Sequence, residues 1–249
     1  MNLRPAPKIS SLEGLKYMAF TALVYAVLML AGDYILEVLP GLQIRFAAFI
    51  PVVAGMLLGC VGACGAFWGC FVAELWQTGS WQAALGFAIL SFFWAYLPYK
   101  LWFGIRSSNA TLYIYNKATF AKFILIVAVV AFNYAATNVA LIDLLYPNSF
   151  ASLDKAFLLF SNNFDFTILL GIPLLFYIRN NSRTVFYEKA ATVPKCGYQV
   201  QALAIVTLLS MGFVSLELLQ IAQPLFTGLF LACALLGFGY VVTIPSNYL

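Results

Sequence analysis

The side chains able to do chemistry in this sequence are few, and most sit where apolar runs begin or end. Arg45 opens and Glu74 closes the stretch QIRFAAFIPVVAGMLLGCVGACGAFWGCFVAELW, residues 43–76, so both charges belong to the same end of one wall. Two readings of that pair stand. The two charges form an interfacial ion pair or snorkel into water, or Arg45 meets an anionic group of a solute and Glu74 a polar or cationic one. Asn133 and Thr137 lie one helical turn apart, whereas the spacing of Asn133 and Asn138 puts them on different faces. An amide inside an apolar helix either bonds a neighbouring helix or contacts a ligand. Ser161-Asn162-Asn163-Phe164-Asp165 reads as a capped helix start, with Asp165 favouring the positive end, or as a source of one more polar contact from Asp165. Glu217 and Gln220 flank the last apolar hairpin and read as solvated. Cys60 and Cys64, one turn apart, are small packing residues among glycines or soft-metal ligands; the packing reading is taken here, with no metal site assigned.

What is missing narrows the chemistry further. The sequence has no histidine, which removes imidazole bases, His proton relays and His-ligated metals together. Neither a G-x-x-x-x-G-K-[ST] phosphate loop nor a G-x-S-x-G elbow occurs, so ATP hydrolysis by that loop and covalent catalysis from that elbow are not expected. The expectation is a protein that is not an enzyme and carries no cofactor. Nucleic acid is not an expected partner either, because the net charge of +4 is spread through loops rather than gathered on one patch.

The elements that must position these residues are helices in a membrane. Apolar residues make up 63% of the chain and charged ones 9%, with a mean hydropathy of +0.93, which places it in the membrane class. Eight hydrophobic segments are predicted, at roughly 15–33, 45–60, 61–76, 82–103, 118–141, 157–178, 198–219 and 222–243. The fold class is all-α, a polytopic helical bundle. Pro98 and Pro173 fall late in the fourth and sixth segments, where they would kink or end a helix. The basic start followed by the apolar run 17–32 is read as a retained first helix, since no small-x-small cleavage site follows.

The stretch 43–76 is too long for one comfortable crossing of a hydrocarbon core about 30 Å thick and too short for two. Gly55, Gly59, Gly62, Gly65 and Gly69 recur at spacings of three or four and make one smooth helix-packing face. A pair of short helices turning around Gly59–Gly65 follows, and such irregular backbone at membrane depth must be covered by protein or line a water-filled cavity. Charge parity agrees. With the hairpin counted as a crossing and a return and both termini cytoplasmic, only Arg45 and Lys155 of the 13 basic residues fall outside. The predicted location is the cytoplasmic membrane, multi-pass. Trp76 and Trp81 then flank the outer turn, near the mouth of a cavity between the hairpin and the outer halves of helices five and six, with Arg45, Glu74, Asn133 and Asp165 as its polar contacts.

The run Arg45…Phe49-Ile50-Pro51-x-x-Ala54-Gly55-Met56-Leu57-Leu58-Gly59-x-x-Gly62-Ala63-x-Gly65-x-x-x-Gly69-x-x-x-x-Glu74 resembles the substrate-binding S components of energy-coupling factor vitamin transporters. Phe166–Leu175 is similar to their final helix, and Ala22-Leu23-Val24-Tyr25-Ala26 to the A-x-x-x-A patch that meets their coupling subunit. The resemblance covers roughly residues 12–180. Glu74 stands where the family usually has aspartate, Cys60 where a proline often follows the core glycine, and two helices exceed the six-helix pattern. It implies a six-helix domain over 1–180 with a basic loop and two-helix hairpin over 181–249. It further implies capture of a small, vitamin-like organic solute, with a separate transmembrane coupling subunit and ATPases as partners beside membrane lipid, and Ala22 and Ala26 facing that subunit. Related modules fused to signalling proteins carry a run like Tyr96–Trp102, so a membrane sensor or anchor that transports nothing is the other function the resemblance allows.

Overall fold

The computed structural model describes residues 2–5, 9–38, 46–104, 117–146, 153–181, 184–187, 197–218 and 224–243. Arg45, Cys196, Gln220 and the loop cations Lys8, Arg106, Arg183, Lys189 and Lys195 lie outside them. Eight helices are present among the described residues: α1 (Leu12–Val38), α2 (Ile50–Leu58), α3 (Cys60–Thr78), α4 (Trp81–Gly104), α5 (Lys117–Leu145), α6, α7 (Gly197–Leu218) and α8 (Pro224–Thr243). A single turn of 3-10 helix, Phe46–Phe49, leads into α2. Helix α6 runs from Leu153–Phe166 through a π-turn at Thr167–Gly171 into Ile172–Asn181. A short parallel pair of strands, β1 (Asn2–Pro5) and β2 (Thr184–Tyr187), completes the fold. The all-α expectation holds for everything else.

Four stretches, Leu12–Gly32, Trp81–Phe103, Lys117–Leu145 and Asp154–Ile178, are long and apolar enough to cross a membrane. The chain forms two compact units. The first comprises residues 1–99 and 162–189, the second residues 100–161 and 190–249. The C-terminal hairpin is grouped with α5 in the second unit.

In the first unit the hairpin is real, and its geometry fixes chain direction. Gly65 of α3 lies against Met18 and Thr21 of α1, and Gly69 against Ala22 and Tyr25. Both positions advance together, so α1 and α3 run parallel, and the chain between them must return. It returns through the 3-10 turn and α2, which lies on α4 in the same parallel sense: Gly55 meets the Ala95 backbone and Gly59 the ring of Tyr99. The break falls at Gly59, with φ 61° and ψ −131°, a conformation that costs a residue with a Cβ roughly 1–3 kcal/mol. Gly79 also has positive φ, at 64° with ψ near zero, and a Cβ there would meet nothing within 4 Å. Asparagine tolerates that second, left-handed conformation. Gly79→Asn is accordingly expected to melt within a degree or two of the parent, whereas Gly59→Asn melts well below it; thermal unfolding in detergent reads the difference.

Neither proline ends its helix. Helix α4 continues past Pro98 to Gly104. Helix α6 accommodates Pro173 by widening into the π-turn just before it and then continues to Asn181. That loosening displaces the carbonyls that a proline ring would otherwise strike.

Helix α1 buries its small side and leaves Leu12, Phe20, Leu23, Val27 and Tyr34 exposed as one apolar stripe, a composition suited to lipid.

In the second unit α7 and α8 form an antiparallel hairpin. Val206 faces Gly237, and Phe213 stacks on Phe230 with ring centroids 4.5 Å apart. The tight hairpin expected from the sequence is present.

Candidate functional site

The start of the returning segment is the best-defined polar locus of the first unit. Trp94 of α4 donates its indole N–H to the carbonyl of Ala48 at 2.9 Å, tying α4 to the 3-10 turn. From α6, Phe166 meets Phe46 edge-to-face with centroids 5.5 Å apart. One turn on, the space at Gly171 is bounded by Phe49 and Val53. Helix α6 therefore follows the 3-10 turn and α2 in the same direction.

Two hydroxyls sit on these two flanking helices with nothing to bond. Ser91 and Thr167 are fully buried, and neither Oγ of Ser91 nor Oγ1 of Thr167 has a hydrogen-bond partner. Their positions follow from the parallel packing. Ser91 is one turn before Ala95, which lies on Gly55, so it comes level with Pro51. Thr167 is one turn before Gly171, which puts it level with the 3-10 turn. Hydroxyls in an apolar helix ordinarily bond the carbonyl one turn back. Three in the second unit do so: Thr137 donates to the Asn133 carbonyl, Thr207 to that of Leu203 and Ser210 to that of Val206, at 2.8–2.9 Å. At Thr167 the π-turn begins, with the Ile172 amide reaching back to the Thr167 carbonyl. π-Turns recur at functional positions in helices.

Sequence reasoning did not single out Ser91 or Thr167 as site residues. A lone hydroxyl in an apolar run carries no signal until its bonding is known.

The predicted site residues fare differently. Glu74 is buried within the last turns of α3, and its carbonyl accepts from the Thr78 hydroxyl at 2.7 Å. Trp76 is 81% exposed and Trp81 61%, so both project outward from the α3–α4 turn. Rings so placed suit the interface between lipid and water better than the lining of a cavity. Asp165 is exposed as well. The inward-facing members of its segment are Asn162 and Asn163, both buried, together with Thr167. Nor does Ser161–Asp165 start a helix, because α6 begins at Leu153. Asn133 belongs to the second unit, where its amide is fully engaged. Its Nδ2 donates to Thr207 Oγ1 at 2.9 Å and to the Val129 carbonyl at 2.8 Å, while its Oδ1 accepts from Ser210 Oγ at 2.8 Å. This is the bridging role a polar side chain plays between membrane helices.

Ala22 and Ala26 also have intramolecular duties. A Cβ on Gly69 would come within 2.7 Å of the Ala22 carbonyl oxygen, and Ala26 is buried. The Ala22 backbone thus lies against α3, while its side chain stays half-exposed. Gly55, Gly62, Gly65 and Gly69 each lie under a neighbouring backbone or side chain, so these four are contact surfaces between helices.

Together these features define, in the first unit, packed helices with a glycine-rich helical hairpin that doubles back and buried polar groups at the hairpin's start. No family model, no curated protein and no solved structure matches this chain.

Proposed function

We propose that the chain is a multi-pass protein of the cytoplasmic membrane whose first unit binds a small, polar organic solute of vitamin-like size. The observation that carries this reading is the pair of buried, unbonded hydroxyls of Ser91 and Thr167 on the two helices flanking the start of the re-entrant segment. An unsatisfied buried polar group costs about 1–3 kcal/mol, and a bound group that accepts from or donates to these hydroxyls removes that cost. Arg45 directly precedes the 3-10 turn in sequence. The antiparallel α2–α3 register, with Gly62 on Ala54, carries Glu74 toward that same end. A guanidinium and a carboxylate there would select a solute bearing both an anionic and a polar or cationic group. The resemblance to S components supports the same class of ligand, with transport depending on separate coupling and ATPase subunits.

The test is equilibrium binding of a panel of water-soluble vitamins to the full chain in lipid nanodiscs. Thr167→Val removes the hydroxyl and keeps the shape. It should raise the melting temperature of the solute-free protein while weakening solute binding about tenfold, or 1.4 kcal/mol. Arg45→Ala and Glu74→Gln should weaken binding without the gain in stability. Unchanged affinity in all three variants would remove the site. Partners recovered from native membranes separate the two functions the resemblance allows: an ATPase pair supports uptake, and a kinase or phosphatase supports a sensor or anchor.

A further inference from the structure

The π-turn of α6 leaves a main-chain oxygen without a partner beside the unbonded hydroxyl of Thr167. In an α-helix the Ile172 amide would donate to the Ile168 carbonyl, one turn back. Here it reaches past that oxygen to the carbonyl of Thr167. The next residue cannot take its place, because residue 173 is proline and has no N–H. The Ile168 carbonyl is therefore left without a main-chain donor, and it points along the helix toward Ile172, which is buried. On the preceding residue the Thr167 hydroxyl is fully buried and unbonded. An acceptor and a hydroxyl thus stand on successive residues, one turn before the place where Gly171 meets Phe49 and Val53.

We infer that this pair recognises a neutral ring amide of the solute: a lactam, ureide or imide with N–H and C=O on one edge. The inference rests on the solute reading above and names the group that reaches α6. Hydrogen-bond polarity selects it first. A main-chain carbonyl only accepts, so the solute must bring a donor to Ile168. The threonine hydroxyl both donates and accepts, and beside a bound N–H it donates to the adjoining C=O. An open-chain amide in its trans form points those two groups in opposite directions, whereas a ring holds them cis. Charge selects it next. The neighbouring side chains are Phe46, Phe49, Val53 and Phe166. A charged group set among them is far more costly to desolvate than a neutral amide that makes both bonds. The edge-to-face pair of Phe46 and Phe166 also suits the edge or face of a flat ring.

The experiment uses the full chain in nanodiscs and four members of the vitamin panel. Riboflavin and biotin carry such an edge; nicotinate and pyridoxine do not. At least one of the first two should bind, and its counterpart methylated at the ring-amide nitrogens should bind about tenfold more weakly. Pro173→Ala returns an N–H to the ladder and gives the freed carbonyls of that turn a donor. In the solute-free protein it should raise the melting temperature. It should weaken the parent vitamin about tenfold and leave the methylated counterpart, which has no N–H to lose, unchanged. Pro98→Ala, the same substitution in α4, should change neither affinity. Equal weakening of the vitamin and its methylated counterpart by Pro173→Ala overturns the inference, as does failure of both ring amides to bind. Binding of nicotinate or pyridoxine alone, weakened by Thr167→Val, also overturns it while the solute site itself stands.

Discussion

Gly55→Ala and Gly62→Ala are each expected to lose about 3 kcal/mol or more of stability, and to yield little folded protein in detergent. A methyl group added to Gly55 would fall on the carbonyl of Ala95, and one added to Gly62 on the carbonyl of Ala54. Overpacking of a core usually costs about 1–3 kcal/mol because side chains move aside. Here the obstacle is backbone, and two helix axes must separate. The gain in helix propensity from glycine to alanine, about 1 kcal/mol, does not offset that. Gly212, Gly228 and Gly239 provide the control, since a Cβ at any of them meets nothing within 4 Å. Their alanine variants should be as stable as the parent or slightly more so. Thermal unfolding across the five variants separates a steric requirement from a general dislike of alanine. Equal behaviour of the two groups would mean that the helices are not in such close approach.

Asn133→Leu comes next in expected size, at about 1–2 kcal/mol. The change removes the acceptor of Ser210 and the donor to Thr207 at a fully buried position. Both hydroxyls keep a bond to their own helix, which limits the cost. A double-mutant cycle of Asn133→Ala with Ser210→Ala should give a coupling of about 0.6 kcal/mol, and up to about 1.7, the range for such pairs between membrane helices. Asn138 is the comparison. Its amide turns back to the Tyr134 carbonyl of α5 itself, and its loss should couple to nothing on α7. The same variants bear on the solute reading. If Asn133 is a bridge, Asn133→Ala lowers stability and leaves solute affinity where it was. A selective loss of affinity with no loss of stability would return Asn133 to the binding residues.

Helices are the part of this fold most legible in the sequence, because burial in an apolar medium leaves the backbone little choice but to satisfy itself within each helix. The eight segments read from hydropathy correspond to α1 through α8, and the glycine spacing predicted the hairpin that α2 and α3 make. The parallel run of α1 and α3 requires α2 to double back.

Prolines marked a local irregularity rather than a helix end, because α6 relaxes its ladder into a π-turn before Pro173 and then continues.

Side-chain direction was the larger gap. Asp165, Trp76 and Trp81 were read as site residues by their nearness to an outer end, yet they face outward. Asn162 and Asn163, quoted only as caps, face inward. A one-residue difference along a helix turns a side chain by about 100°. Hydropathy averaged over a crossing does not resolve that angle when every face is apolar.

The sequence by itself determined the helices, their number, and the place where the chain must turn back, for these follow from local propensity and from the cost of burying an unbonded backbone. Only the tertiary structure decided what each polar group does. It joined Asn133 to α7, laid the Ala22 backbone against Gly69 of α3, and left the hydroxyls of Ser91 and Thr167 buried with no partner. Such outcomes depend on which helix face meets which neighbour, and that is settled by packing between residues far apart in the chain.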